Sequence, residues 1–172
     1  LRGITKRRSL CTGNAPVFGE PLERRLLLAA TLIKDINTLP SSTVVPAPLT
    51  PAGGSAYFAG HDAAHGSELW KTDGTAGGTS MVKDIRSGAA PSSPTSITNA
   101  NGVAYFVADD GVHGAELWRS NGSDGGTTLV KDINPGSAGA APSLLTAAGS
   151  GLYFFADDGA AGRELWRSDG TP

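Results

Sequence analysis

The stretch Glu68–Thr75, ELWKTDGT, decides how the sequence is organised, because it occurs three times. It returns as ELWRSNGS from Glu116 and as ELWRSDGT from Glu164. A fixed period of this size is typical of repeat proteins. Three residue series keep the period, with spacings of 48 or 49 residues: Trp70, Trp118 and Trp166; Tyr57, Tyr105 and Tyr153; and the lysines of Lys-Asp-Ile, Lys34, Lys83 and Lys131.

The middle repeat predicts four antiparallel strands, over 95–100, 103–109, 115–120 and 127–133. Asn101-Gly102 has the residues of a two-residue hairpin turn, because both tolerate positive φ. The second strand, VAYFVAD, is apolar on both faces, whereas a sheet covered on one face alternates. We therefore expect an all-β fold, a β-propeller-like array of four-stranded antiparallel blades with about 48 residues per repeat.

These motifs resemble the ELWxxDGT repeat of bacterial proteins. The copies from Glu68 and Glu164 fit that pattern fully, while the middle copy has Asn121 for the Asp and Ser123 for the Thr. The resemblance covers 31–172 and implies an exported, propeller-like repeat protein. It implies no known reaction and supplies no catalytic residues.

Residues 1–30 differ from the rest in charge and pattern. They carry a net charge of +4, whereas 31–172 carries −6. Basic residues precede a short apolar run over 26–33, which is the order of an export signal. The segment from Glu20 to Ala30 also resembles the LEPR-x-LL motif of exported bacterial proteins, with Arg24 in place of Pro. We expect an export-type leader over 1–30 and an exported, extracellular or cell-surface protein.

The two ends of the repeat region complement each other. The predicted blades cover about 48–86, 95–133 and 143–172, and the last lacks a fourth strand. LIKDI at 32–36 matches the fourth strands of the other copies. We expect 32–36, or a partner, to complete the last blade; a six-bladed homodimer or further blades in a longer chain remain alternatives.

The residues shared by the repeats have two interpretations. The tryptophans would pack between blades or stack sugars, and the glutamates would be structural, paired with Lys83 or Arg119, or glycosidase acids. Equivalent positions on different blades favour structure, because catalysis needs carboxylates with different pKa values. The predicted structural residues are Tyr57, Tyr105, Tyr153, Glu68, Glu116, Glu164, Trp70, Trp118, Trp166, Asp73, Gly74, Asp169, Gly170, Asp84 and Asp132.

Paired aspartates in the turns after the second strands are candidates for Ca²⁺, which prefers several oxygen ligands. They are Asp109, Asp110, Asp157 and Asp158. The EF-hand spacing is absent, and Asp in turns usually accepts hydrogen bonds from nearby amides. We therefore expect these residues to be structural and predict no cofactor.

The sequence favours a non-enzymatic repeat protein with an interaction or surface-scaffold role, whose partner is a protein or a surface glycan. The alternatives are a carbohydrate-binding or glycoside-cleaving propeller and a Ca²⁺-stabilised adhesin module. The acidic repeat region makes nucleic acid an improbable partner. No segment is apolar over the length that a transmembrane helix needs.

Overall fold

A computed structural model describes residues 30–36 and 48–171. These residues form eleven β-strands and no helix. The first sheet contains β1 (Thr50–Ala52), β2 (Ser55–Asp62), β3 (Gly66–Thr72) and β4 (Ser80–Lys83). The second contains β5 (Thr95–Ala100), β6 (Val103–Asp109), β7 (Ala115–Ser120) and β8 (Thr127–Lys131). The third contains β9 (Ser143–Ala148), β10 (Gly151–Asp157) and β11 (Arg163–Ser168).

Each repeat folds into one antiparallel sheet whose strands follow chain order. In the middle repeat, three strands have the predicted bounds, and β8 ends two residues early. The predicted hairpin turn between β5 and β6 is confirmed, since Asn101 and Gly102 have φ values of 54° and 82°. Gly53 and Gly54 repeat this geometry in the first sheet, at 55° and 83°. The all-β prediction is therefore confirmed for the part of the chain described.

The sheets pack face to face, with the middle sheet buried on both sides. One core lies between the first and second sheets, where Tyr57 and Leu69 meet Phe106 and Trp118. A second core lies between the second and third sheets and is formed by Ala100, Tyr105, Leu117, Val130, Ile133, Ala140, Leu152, Phe154 and Ala156. Because β6 supplies side chains to both cores, its residues 104–108 are all buried, on both faces of the strand.

Hydrogen bonds repeat from one sheet to the next in equivalent positions. Thr50 Oγ1 donates to the carbonyl of Ile97 at 2.9 Å, and Thr98 Oγ1 donates to that of Leu145 at 3.4 Å. In the same row of each sheet, a basic side chain on the third strand binds the turn of the following sheet. Lys71 Nζ donates to the Gly122 carbonyl at 2.7 Å, and Arg119 donates to the Gly170 carbonyl. The same contacts therefore fix both inter-sheet interfaces.

The third sheet has three strands and ends at β11. Residues 32–36 form no strand in this structure, and the expectation that they, or a partner, complete the third sheet stays a prediction. Lys34 Nζ instead donates to the Thr79 carbonyl of the first sheet at 2.6 Å. The middle sheet, packed against both others, separates that site from the third sheet. The predicted leader lies outside the described residues, apart from its last residue.

Candidate functional site

The glutamate of the ELW motif binds backbone amides of the connection to the next sheet. Glu68 is fully buried. Its Oε1 accepts from the Ser92 amide at 3.0 Å, and its Oε2 accepts from the Ile85 amide at 3.1 Å and the Ser92 hydroxyl at 2.6 Å. The carboxylate therefore holds the two ends of the connection together.

Glu116 has the same position and role in the second sheet. It is fully buried, and its Oε1 accepts from the amides of Asn134 at 3.1 Å and Ala140 at 2.9 Å. Where Glu68 has the Ser92 hydroxyl, Glu116 has Ala140, and its Oε2 is buried without a hydrogen-bond partner. Glu164, in the third sheet, is exposed.

Burial raises the pKa of both Glu68 and Glu116, although the amide hydrogen bonds act in the opposite direction. In this structure both glutamates bind backbone amides, and neither pairs with Lys83 or Arg119. Lys83 Nζ contacts Asp124 Oδ1 at 3.2 Å, and Arg119 binds a carbonyl. Both glutamates lie on the same sheet face as the buried tryptophans. Their carboxylates are therefore buried and bind the nearby backbone amides.

The turn that completes the motif is held by its own side chains. Asp73 Oδ1 accepts from the amide of Thr75 at 2.9 Å and from its hydroxyl at 2.7 Å. Asn121 and Ser123 make the same pair of contacts in the middle copy, at 3.0 and 2.7 Å. Asp169 and Thr171 repeat it in the third. The amide oxygen of Asn121 thus replaces a carboxylate oxygen without loss of the turn.

The calcium candidates also accept hydrogen bonds from turn amides. Asp109 Oδ1 accepts from Gly111 at 2.7 Å, and Asp157 Oδ1 from Gly159 at 2.8 Å. Asp110 and Asp158 each accept from two amides further along their turns. Among the residues with described positions, no group of three His, Cys, Asp or Glu side chains converges as a metal site. These aspartates are placed for turn formation.

Two histidines contact aspartates in the same turns. His65 Nδ1 lies 2.9 Å from both carboxylate oxygens of Asp62, and His113 Nδ1 lies 2.7 Å from Asp110 Oδ2. The hydrogen bond that each histidine donates to its aspartate raises the pKa of the histidine. Ala161 occupies the equivalent position of the third copy.

The aromatic repeat residues of the first two sheets are buried, whereas Tyr153 and Trp166 of the third sheet are half-buried. Trp70 and Trp118 are 7% exposed, so neither offers a platform for sugar stacking. Tyr57 and Tyr105 are also buried, and desolvation raises the pKa of both.

Asp84 and Asp132 each bury one carboxylate oxygen without a hydrogen-bond partner.

The outward face of the third sheet is the exposed counterpart of these buried positions. Phe155 and Leu165 are 38% and 64% exposed, while the equivalent Val107 and Leu117 are 6% and 1% exposed. A cavity of about 270 Å³ lies beside β11. Its lining includes Leu117, Val130, Phe154, Trp166, Arg167 and Asp169. The outward face of the third sheet therefore exposes apolar side chains, and β11 is an edge strand among the described residues. The cavity lies next to this edge, between the second and third sheets. Together they form the candidate binding site.

Comparison with known proteins finds no matching family, curated protein or solved structure. Within 30–36 and 48–171, no helix has the length and apolar character needed to cross a membrane.

Two features of the site were missed in the sequence. The burial of Glu68 could have been found from strand alternation, since residues two apart share a face and Trp70 was predicted to be buried. The cavity beside Trp166 had no local signal, because it depends on which strand lies next to β11.

Proposed function

We propose that this chain is a non-enzymatic, β-propeller-type repeat module of an exported protein, with an interaction or surface-scaffold role. The observation that carries the proposal is the use of the shared glutamates. Glu68 and Glu116 are fully buried and occupied by connection amides. A carboxylate bound in this way is not free to protonate a leaving group or activate water.

The arrangement of the sheets supports propeller-type blades. Each repeat forms one antiparallel sheet, and consecutive sheets pack face to face through equivalent contacts. Export rests on the charge pattern of 1–30 and on the resemblance to exported repeat proteins. The interaction role rests on the apolar outward face of the third sheet, because exposed apolar patches mark binding surfaces.

Export is tested with a reporter that is active only outside the cytoplasm. Residues 1–33 are fused to an alkaline phosphatase that lacks its own signal and expressed in a bacterium. We expect phosphatase activity, and we expect replacement of Leu26, Leu27 and Leu28 by Gln to abolish it, because the apolar run is interrupted. Activity that is absent in the parent fusion, or unchanged in the variant, would contradict export.

The non-enzymatic role is tested in the same purified chain with a panel of chromogenic glycosides. We expect no turnover above the buffer rate. Hydrolysis that disappears in Glu116→Gln while the fold is retained would establish the glycosidase alternative.

A further inference from the structure

We propose that the outward face of the third sheet and the free edge of β11 bind a second copy of this chain. The second copy contributes its segment Leu32–Ile36 and the outward face of its first sheet. The inference rests on the proposed interaction role, and it names the partner that the role leaves open.

The sequence of Leu32–Ile36 is that of a fourth strand. LIKDI matches MVKDI at 81–85 and LVKDI at 129–133, which contain parts of β4 and β8. The number of residues between this lysine and the next repeat tyrosine is also nearly the same in each copy. Tyr105 follows Lys83 by 22 residues, Tyr153 follows Lys131 by 22, and Tyr57 follows Lys34 by 23. The segment thus corresponds to the fourth strand of a sheet that precedes the first sheet.

The structure places the segment where such a strand would lie. Lys34 Nζ donates to the Thr79 carbonyl, beside the turn between β3 and β4. Lys83, its equivalent, donates to the Asp124 carbonyl in the corresponding turn of the second sheet, at 3.3 Å. However, Leu32 and Ile33 are 82% and 45% exposed, whereas Val82, the equivalent of Ile33, is 7% exposed. The segment has the position of a fourth strand but lacks the sheet that would cover it.

The third sheet lacks the strand that this segment would supply. Leu69 pairs with Lys83 and Leu117 pairs with Lys131, so the same register places Leu165 opposite Lys34. Trp118 pairs with Leu129, so Trp166 would face Leu32.

Leu32 also fits the cavity beside β11. Leu129 packs against the core between the first two sheets. The equivalent space beside Trp166 is the cavity of about 270 Å³. A leucine in register with Trp166 would fill it, and burial of its side chain would favour association.

The third sheet has the donors, and the first sheet the acceptors, of the hydrogen bonds seen between neighbouring sheets. Lys71 binds Gly122 and Arg119 binds Gly170, so Arg167 would bind Gly74 of the second copy. A Cβ at Gly74 would have no atom within 4 Å, so the approach to this turn is open.

The hydrogen bonds from threonine follow the same rule. Thr50 binds Ile97 and Thr98 binds Leu145, so Thr146 would bind the carbonyl of Leu49 in the second copy. Leu49 is 62% exposed. Glu164, also exposed, would accept from the Ile36 amide as Glu68 accepts from Ile85.

We assign the partner surface to a second copy because, in residues 30–36 and 48–171 of one copy, the two surfaces lie apart. The first and third sheets pack against opposite faces of the middle sheet, so their outward faces point apart. Two copies joined head to tail would bury both surfaces twice and pair the free edge of β11. The resulting six sheets fall within the four to eight blades of known propellers.

A mixed disulfide experiment tests the contact directly. In a Cys11→Ser background, a chain with Lys34→Cys is mixed with a chain with Leu165→Cys and oxidised under mild conditions. We expect a disulfide-linked pair on a non-reducing gel, because the register places these positions opposite each other. Thr128→Cys, on the exposed edge strand β8 of the middle sheet, replaces Leu165→Cys in the control and should give no cross-link.

The oligomeric state of the full chain provides the second measurement. Sedimentation equilibrium should give twice the 17.4 kDa chain mass. Leu32→Asp should weaken the dimer at least about tenfold, because the apolar side chain that would be buried beside Trp166 is replaced by a charged one. Val112→Asp is the matched control: Val112 is 64% exposed in a turn outside the proposed contact, and its variant should dimerise normally.

Three results would overturn the inference. They are a monomer without the mixed cross-link, a disulfide within a single chain that carries both cysteines, and a series of larger assemblies instead of a closed pair. A monomer that is exported and lacks turnover would leave the proposed function intact. A dimer that is not exported would support the contact between two copies and contradict the proposed export.

Discussion

Residues at equivalent positions differ in environment according to the sheet that follows them. Glu68 and Glu116 are buried and bind a connection, whereas Glu164 is exposed. Leu69 and Leu117 are at most 1% exposed, whereas Leu165 is 64% exposed. Since the local sequence is nearly the same, burial is decided by the neighbouring sheet. Each repeat therefore carries residues that function only when another sheet covers them.

The histidine–aspartate pairs predict a pH-dependent contribution to stability. The hydrogen bond donated to the aspartate raises the pKa of His65 and of His113. Their contribution is fully present below the unfolded-state histidine pKa of about 6.5, and it is lost as pH rises through the folded-state values. We expect the double variant His65→Ala, His113→Ala to be less stable than the parent at pH 6, with a difference that shrinks by pH 8.

Urea unfolding at intervals between pH 5.5 and pH 8.5 measures this difference.

The aspartates add a second pH dependence of the free energy of unfolding, at low pH. Burial of Asp62 and Asp110 opposes ionisation, but their hydrogen bonds outweigh it and lower the pKa of both. Their contribution is therefore lost as pH falls below about 3.8, outside the measured range. A difference between parent and variant that is constant across the range would contradict the pairing.

The turn between the third and fourth strands of the second sheet contacts the first sheet. Gly122 has a φ of 89°, and a Cβ there would lie 2.6 Å from Tyr57 Oη. The same turn accepts the hydrogen bond from Lys71. Glycine is required twice, for the left-handed backbone and for the close approach of the tyrosine. The motif therefore ends in a contact surface as well as a turn.

Gly122→Ala should destabilise the protein more than Gly102→Ala. Both residues have left-handed φ and lie in turns of the second sheet, so both variants lose about 1–2 kcal/mol from backbone strain. Only Gly122→Ala adds a clash with Tyr57, which costs a further ~1–3 kcal/mol, since a Cβ at Gly102 has no atom within 4 Å. Denaturant unfolding measures both, and equal losses would show that the inter-sheet contact is absent.

The strands and hairpin turns could be predicted because their signals are local. Asn101-Gly102 fixes a turn by backbone preference alone, and the apolar faces of 103–109 require cover on both sides. The position of Leu32–Ile36 could not be predicted in the same way. Its sequence specifies a fourth strand, but the sheet that it pairs with depends on contacts far along the chain or in another copy. The amide ligands of Glu68 likewise come from residues 17 and 24 positions away.

The repeat region described by the structure is a row of three sheets with different end surfaces. One end presents the first sheet with Leu32–Ile36 beside it, and the other presents Phe155, Leu165 and the edge of β11. The side chains that the repeats share are used mainly between sheets and in the connections. The exposed large apolar side chains Leu32, Leu49, Phe155 and Leu165 lie at the two ends of this row.

The central claim is that the shared glutamates hold the connections between sheets, and amide hydrogen exchange tests it most directly. The amides of Ile85, Ser92, Asn134 and Ala140 lie outside the strands but bind Glu68 or Glu116. They should be protected like strand amides, in contrast to those of the exposed turn at 76–77.

Glu68→Ala should remove protection from Ile85 and Ser92 and leave Asn134 and Ala140 protected. It should also lower the free energy of unfolding by about 1–3 kcal/mol for each group left without a partner. Rapid exchange of all four amides in the parent protein, or protection of Ile85 and Ser92 that survives Glu68→Ala, would contradict the account.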